Sequence, residues 1–199
     1  MQLNPDATFD CLFVGDRLQA RVGSFANAEL HLFAYLSCLL WLFRRRIVTD
    51  WGYEFVGTEL GAPFSRHIDL AVTELLGRGY FFRVGDRLYM SKLAERRLAD
   101  FSELSLNRDR AECLDASCSS AVAFSVGMVA SALAQEPELK HAKALPANRL
   151  LLDEPGRSQI YEHFDALRAG LGRNNNDLRL PAVIWLAALY RAGEFPDAL

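Results

Sequence analysis

Seven arginines carry the most suggestive chemistry in this chain. Arg44, Arg45 and Arg46 form one run, and Arg66, Arg78, Arg83 and Arg87 follow downstream. A guanidinium presents paired N–H donors that match phosphate oxygens, so these seven are the candidate DNA-contacting set. Other chemistry is sparse. His31, His67, His141 and His163 form no HExxH or HxxxH pair. Glu162 and His163 are adjacent and could pass a proton, and His67 lies near a helix start. A surface pair and a surface histidine are the simpler readings. Cys113 and Cys118 lack a second cysteine or histidine pair at zinc-finger spacing. GxxxxGK[ST], GxGxxG and GxSxG are all absent. No cofactor, metal or small-molecule substrate is expected, and no enzymatic activity.

Four of the seven arginines fall in the stretch Gly52 to Leu98. Ser65 is placed to cap a helix with its hydroxyl, and Asp69 puts negative charge near the positive end of the dipole. Ile68, Val72, Leu75 and Leu76 then share one face. Gly77 and Gly79 stop the helix. Tyr80–Val84 and Arg87–Met90 read as strands around a Gly85-Asp86 turn. Ser91 caps a further helix to about Leu104, with Leu93, Leu98 and Phe101 as its main apolar positions. Helix followed by hairpin is the order of a winged helix, a fold that binds either DNA or other proteins. The expected class is mainly α, a winged helix with an additional C-terminal helical region.

Residues 1–23 read as a lead-in with a hairpin, Cys11–Val14 and Arg17–Ala20 about Gly15-Asp16. The pentapeptide Val-Gly-Asp-Arg-Leu occurs at 14–18 and again at 84–88, which suggests one turn chemistry used twice. Residues 24–46 predict a helix capped by Ser24 or Asn27. From Leu30 to Phe43 only His31 and Ser37 interrupt the apolar run. That run falls short of the roughly 20 residues that span a bilayer. It reads as a core helix, or one that completes its burial against a partner. Arg44, Arg45 and Arg46 sit at its negative end. Tyr53, Phe55 and Val56 read as a short strand, with turns at Gly57, Gly61 and Pro63.

A boundary near residue 105 separates a winged-helix domain, 1–104, from a helical region, 105–199, which is either independent or packed back on the helix at 24–46. In the latter, Ala116–Leu133 is rich in Ala, Ser and Val and reads as one tightly packed helix ended by Pro137. A helical turn at Glu138–Lys143 and a short apolar run at Leu150–Leu152 follow. Gly156–Ala169 is amphipathic through Ile160, Phe164 and Leu167. Arg173–Asp177 reads as a loop, and a last helix begins at Pro181.

Charge separates the two uses of a winged helix. The 199-residue chain carries net charge −3. From 44 to 100 there are ten Lys and Arg against eight Asp and Glu, a surplus of only two. The helix exposes Asp69 and Glu74 beside Arg66 and Arg78, and Asp86 sits at the wing tip. A DNA reader needs a basic surplus to release counterions. Protein docking therefore fits better, through apolar surface near 24–46 or the second half. DNA contact would be secondary, from Arg44, Arg45 and Arg46 or the wing inside a larger assembly. A dimeric DNA-binding regulator is the alternative. Scattered cysteines read as reduced thiols of a cytoplasmic protein, and MQLNPDATFD shows no signal peptide.

The segment EFVGTELGAPFSRHIDLAVTELLGRGYFF…LYMSKLAERRL resembles the pattern F…yGPfS…L…L…G.i…y.lT..G of bacterial winged-helix modules. Phe55, Gly61, Pro63, Phe64, Ser65, Leu70, Leu75, Gly79, Tyr89 and Ser91 carry the match. Ala62 is inserted between Gly61 and Pro63, and Ala94-Glu95 replaces a glycine after the hairpin. Such modules occur in accessory subunits of SMC-like or ABC-ATPase complexes, including middle components of three-component anti-phage systems. The resemblance implies a larger ATPase and/or nuclease partner, which this chain would bridge or restrain.

Overall fold

The first helix is set by Asn4 and Pro5. The Asn4 side chain accepts from the Asp6 and Ala7 N–H groups at 2.9 and 3.1 Å. Pro5 occupies the first helical position, where its missing N–H costs nothing. Helix α1 then runs Pro5–Val22. This corrects the hairpin expected over 11–20. Phe9, Leu12, Val14 and Leu18 are all buried along it. Gly15 is kept because a Cβ there would stand 2.9 Å from the Phe25 ring. The computed structural model describes residues 4–145, 148–172 and 177–194. Among them the fold is mainly helical, with small sheets.

Phe25 exchanges backbone hydrogen bonds with Leu88, at 3.1 and 2.6 Å. Helix α2, Asn27–Phe43, follows. Its cap is neither Ser24 nor Asn27. Ala26 holds the cap position, and the Glu29 carboxylate accepts from the Ala26 N–H at 3.0 Å. The reason is competition: Ser24 bonds to Arg87, and Asn27 turns toward Asp69. Between Leu30 and Leu40 every side chain of α2 is buried. A buried Leu or Phe is worth roughly 1.5–3 kcal/mol, so packing rather than capping fixes this helix.

Strands β1 (Val56–Gly57), β2 (Pro63–Phe64) and, far downstream, β5 (Arg149–Leu150) form an antiparallel sheet with β1 central. Helix α3, Arg66–Gly77, buries Ile68, Ala71, Val72 and Leu75. Ser65 sits at its N-cap, but its hydroxyl makes no capping bond. Instead the Ser65 N–H donates to His31 Nδ1 on α2 at 3.0 Å. The hairpin is as expected: β3 (Phe81–Val84) pairs with β4 (Arg87–Met90) about Gly85, whose φ is +56°. Ser91 caps α4, Lys92–Ser102, by accepting from the Ala94 N–H.

The run 116–133 is two helices, not one. Helix α5 (Arg108–Ala123) and α6 (Val126–Leu133) meet at a bend of 112°. Phe124 is extended, and the Ser125 hydroxyl accepts from the Met128 N–H to start α6. Pro137 begins α7 (Pro137–Lys143) instead of ending the helix before it. Helices α8 (Glu154–Leu171) and α9 (Arg179–Glu194) complete the described chain. Residues 173–176 of the expected loop lie outside the described residues. Helix α5 packs on α1 and α2, and α9 on α5 and α6, so the apolar core runs unbroken past residue 105.

A buried ion pair joins the two halves. Arg110 of α5 donates to Asp10 of α1 from Nε and Nη2, at 2.6 and 2.9 Å. The Tyr53 hydroxyl donates to the same carboxylate, and the guanidinium lies 3.9 Å from the Trp51 ring centroid. Burial works against the charged guanidinium, yet the Asp10 carboxylate offsets that and raises its pKa. Among the described residues no single helix is long and apolar enough to cross a membrane.

Candidate nucleic-acid and partner interface

The hairpin is tied to α2 by Arg87. Its Nε and Nη2 donate to the Ser24 hydroxyl and carbonyl at 3.0 and 2.8 Å, and its Nη1 donates to Glu29 at 2.8 Å. Arg87 is therefore a half-buried clamp. The same Glu29 carboxylate accepts from the Ala26 N–H, so one group starts α2 and anchors the hairpin. His31, two residues further along α2, stacks on Phe64 and holds the backbone before α3. Burial lowers its pKa to about 4, which leaves the ring neutral with Nδ1 free to accept.

The seven arginines divide into two sets. Arg44, Arg45 and Arg46 lie at the far end of α2 from the hairpin; a 17-residue helix puts roughly 25 Å between its ends. Each of the three meets a carboxylate from the second half. Arg44 pairs with Glu112 and Arg46 with Asp109, both at 2.5 Å, and Arg45 pairs with Asp165. Arg45 also covers the Tyr161 ring, and Arg46 covers Trp41. On α3, Arg78 pairs with Glu74 one turn back. Exposed pairs like these are worth only about 0.2–1 kcal/mol each. Their effect is on the field: each cation is cancelled by a neighbouring anion. Arg66 and Arg83 are exposed and have no ion pair among the described residues.

The outer face of the hairpin is apolar. Phe82 stacks on Tyr89 across the strands, centroids 5.3 Å apart and planes 13° apart. Phe82 is 49% exposed, Val84 59%, and Leu93 in the first turn of α4 50%. Lys92, Arg83 and Arg96 are exposed close by in the chain. The sequence points to apolar surface near 24–46 or in the second half for docking, and the second half does expose Leu106 and Val122, at 73% and 76%. The 24–46 helix is buried and offers almost none, whereas the hairpin exposes Phe82 beside the half-buried Tyr89. Their signal was the strand alternation that turns Phe81 inward and Phe82 outward.

The remaining titratable candidates lie apart. Glu162 and His163 are exposed on α8, and His67 is half-buried beside Tyr53. The four cysteines are buried free thiols; burial pushes Cys113 and Cys118 up to about 12. Among the described residues no group of three or more His, Cys, Asp or Glu could hold a metal ion. Comparison with protein-family models, curated proteins and solved structures finds no match.

Proposed function

We propose that this chain is a non-catalytic winged-helix adaptor, docking through its wing onto a larger ATPase or nuclease subunit of a cytoplasmic complex. The element order supports the winged-helix reading: helix α1, an extended residue Phe25 bridging to β4, helices α2 and α3, then the β3–β4 wing. The carrying observation is the contrast on the surface. Five of the seven candidate arginines are matched by carboxylates, while Phe82, Val84 and Leu93 stand exposed. Apolar residues grouped on a surface mark interaction sites. The resemblance to accessory modules of SMC-like and ABC-ATPase complexes supplies the partner class, and antiviral defence is the setting it suggests.

Co-expression with the products of adjacent genes tests this reading. The chain is expected to co-elute with an ATPase or nuclease among them, and a chain eluting alone from all of them refutes it. The second reading is a DNA-binding regulator, favoured by unpaired Arg66 and Arg83. It requires tight, salt-dependent duplex binding by the isolated chain, lost on Arg66→Glu with Arg83→Glu.

A further inference from the structure

Between α2, the turn at Val48–Trp51 and the start of α8 lies a cavity of about 390 Å³. Its walls are Cys38, Val48, Phe55, Leu151, Leu152 and the ring of Tyr53. These walls are apolar in effect as well as composition. Tyr53 spends its hydroxyl on Asp10, and burial raises the Cys38 pKa so that the thiol stays uncharged. A cavity of this size with apolar walls and few polar groups is the usual form of a small-molecule site.

The polar groups are at the rim. Asp153 is occupied: it caps α8 through the Gly156 N–H at 3.0 Å and pairs with Arg149 at 3.5 Å. Arg157, in the first turn of α8, is half-buried, and its guanidinium has no partner among the described residues. A half-buried cation without a carboxylate is unusual in this chain, where most arginines are matched. Glu54 also borders the cavity but is exposed to solvent. A second irregularity lies in the wall itself. Leu152 has φ of +62°, a left-handed conformation that is unfavourable for a bulky side chain. Its neighbour Leu151 is pinned by its N–H donating to the Phe55 carbonyl at 2.9 Å. Backbone strain of this kind persists where surrounding structure enforces it, and it gathers at ligand sites.

We infer that this cavity binds an aliphatic carboxylate, with its chain among Leu151, Leu152 and Phe55 and its head group on Arg157. A planar guanidinium takes a carboxylate through two parallel N–H donors, which an uncharged head group does not match. Glu54 opposes an anion at the rim and so weakens the site. The proposal is independent of the docking role of the wing.

Calorimetric titration of the full chain with hexanoate, octanoate and decanoate, each below its micelle concentration, tests it. Affinity should rise about fourfold for each methylene that still fits. Arg157→Gln should raise the Kd for decanoate tenfold or more and leave that for 1-decanol unchanged. Glu54→Gln should tighten decanoate binding. Leu151→Trp, which fills the cavity, should abolish binding of both. Absence of saturable binding overturns the proposal. So does an Arg157→Gln protein that loses decanoate and decanol equally, or a Leu151→Trp protein that melts normally and still binds decanoate.

Discussion

The pentapeptide Val-Gly-Asp-Arg-Leu occupies two places and adopts two structures. At 14–18 it is the middle of α1; at 84–88 it is the tip of the β3–β4 hairpin. Both copies meet Phe25, and the residues beside them meet each other. Gly15 faces the Phe25 ring and Met90, Phe25 bridges to Leu88, and Gln19 accepts from the Met90 N–H at 2.6 Å. Leu18 and Leu88 are both buried, but Val14 is buried whereas Val84 is 59% exposed. Arg17 lies over Phe13 and pairs with Asp115, while Arg87 is clamped between Ser24 and Glu29. Five residues thus do not choose their own conformation. Their flanks do: Asn4-Pro5 and a helical apolar face in one case, paired aromatic strands in the other.

Substitutions at matched positions should separate the copies. The largest difference is expected at the valines. Val14→Asp buries a carboxylate with no partner and should cost about 4 kcal/mol or more, preventing folding. Val84→Asp should shift the urea midpoint by the equivalent of about 0.5 kcal/mol at most. Next come the arginines. Arg87→Ala leaves Glu29 partly buried without its cation and should cost about 1.5–3 kcal/mol. Arg17→Ala, at a more exposed pair, should cost roughly 1 kcal/mol or less. The contrast at the glycines is comparable, though they are needed for different reasons. Asn tolerates positive φ, so Gly85→Asn should be nearly neutral. Gly15→Asn meets the Phe25 ring and should lower stability by about 1–3 kcal/mol in thermal melts. Equal effects at the two glycines would mean that the same turn chemistry serves both copies after all.

The same comparison marks what was legible in the sequence. The β3–β4 hairpin was, because Gly85-Asp86 and the flanking strand alternation are local signals. So were α4, through Ser91, and α8, through its apolar face. Helix α1 was not, because Gly15-Asp16 imitates a turn and the Asn4-Pro5 start lies far upstream of it. The Ser65 hydroxyl makes no capping bond, and the contact that holds Ser65, its N–H donating to His31, comes from a residue distant in sequence. The break between α5 and α6 was hidden by a run of similar small residues in which only Ser125 acts as a cap. For the candidate site, the seven arginines were found but their partners were not. Glu112, Asp165 and Asp109 reach Arg44, Arg45 and Arg46 only through the packing of α5 and α8 on α2. Charge balance could be counted from residue types alone, and it pointed away from DNA before the pairs were located.

The central claim is that the β3–β4 hairpin presents apolar docking surface, while five of the seven candidate arginines are matched by carboxylates. Two double variants address it most directly: Phe82→Asp with Val84→Asp, and Arg66→Glu with Arg83→Glu. Each would be co-expressed with the partner subunit and also titrated alone with duplex DNA at low and high salt. The account predicts that the first pair melts normally yet loses the partner, that the second retains it, and that neither changes an already weak DNA affinity. Partner retention by the first pair, or tight salt-dependent DNA binding abolished by the second, would contradict it.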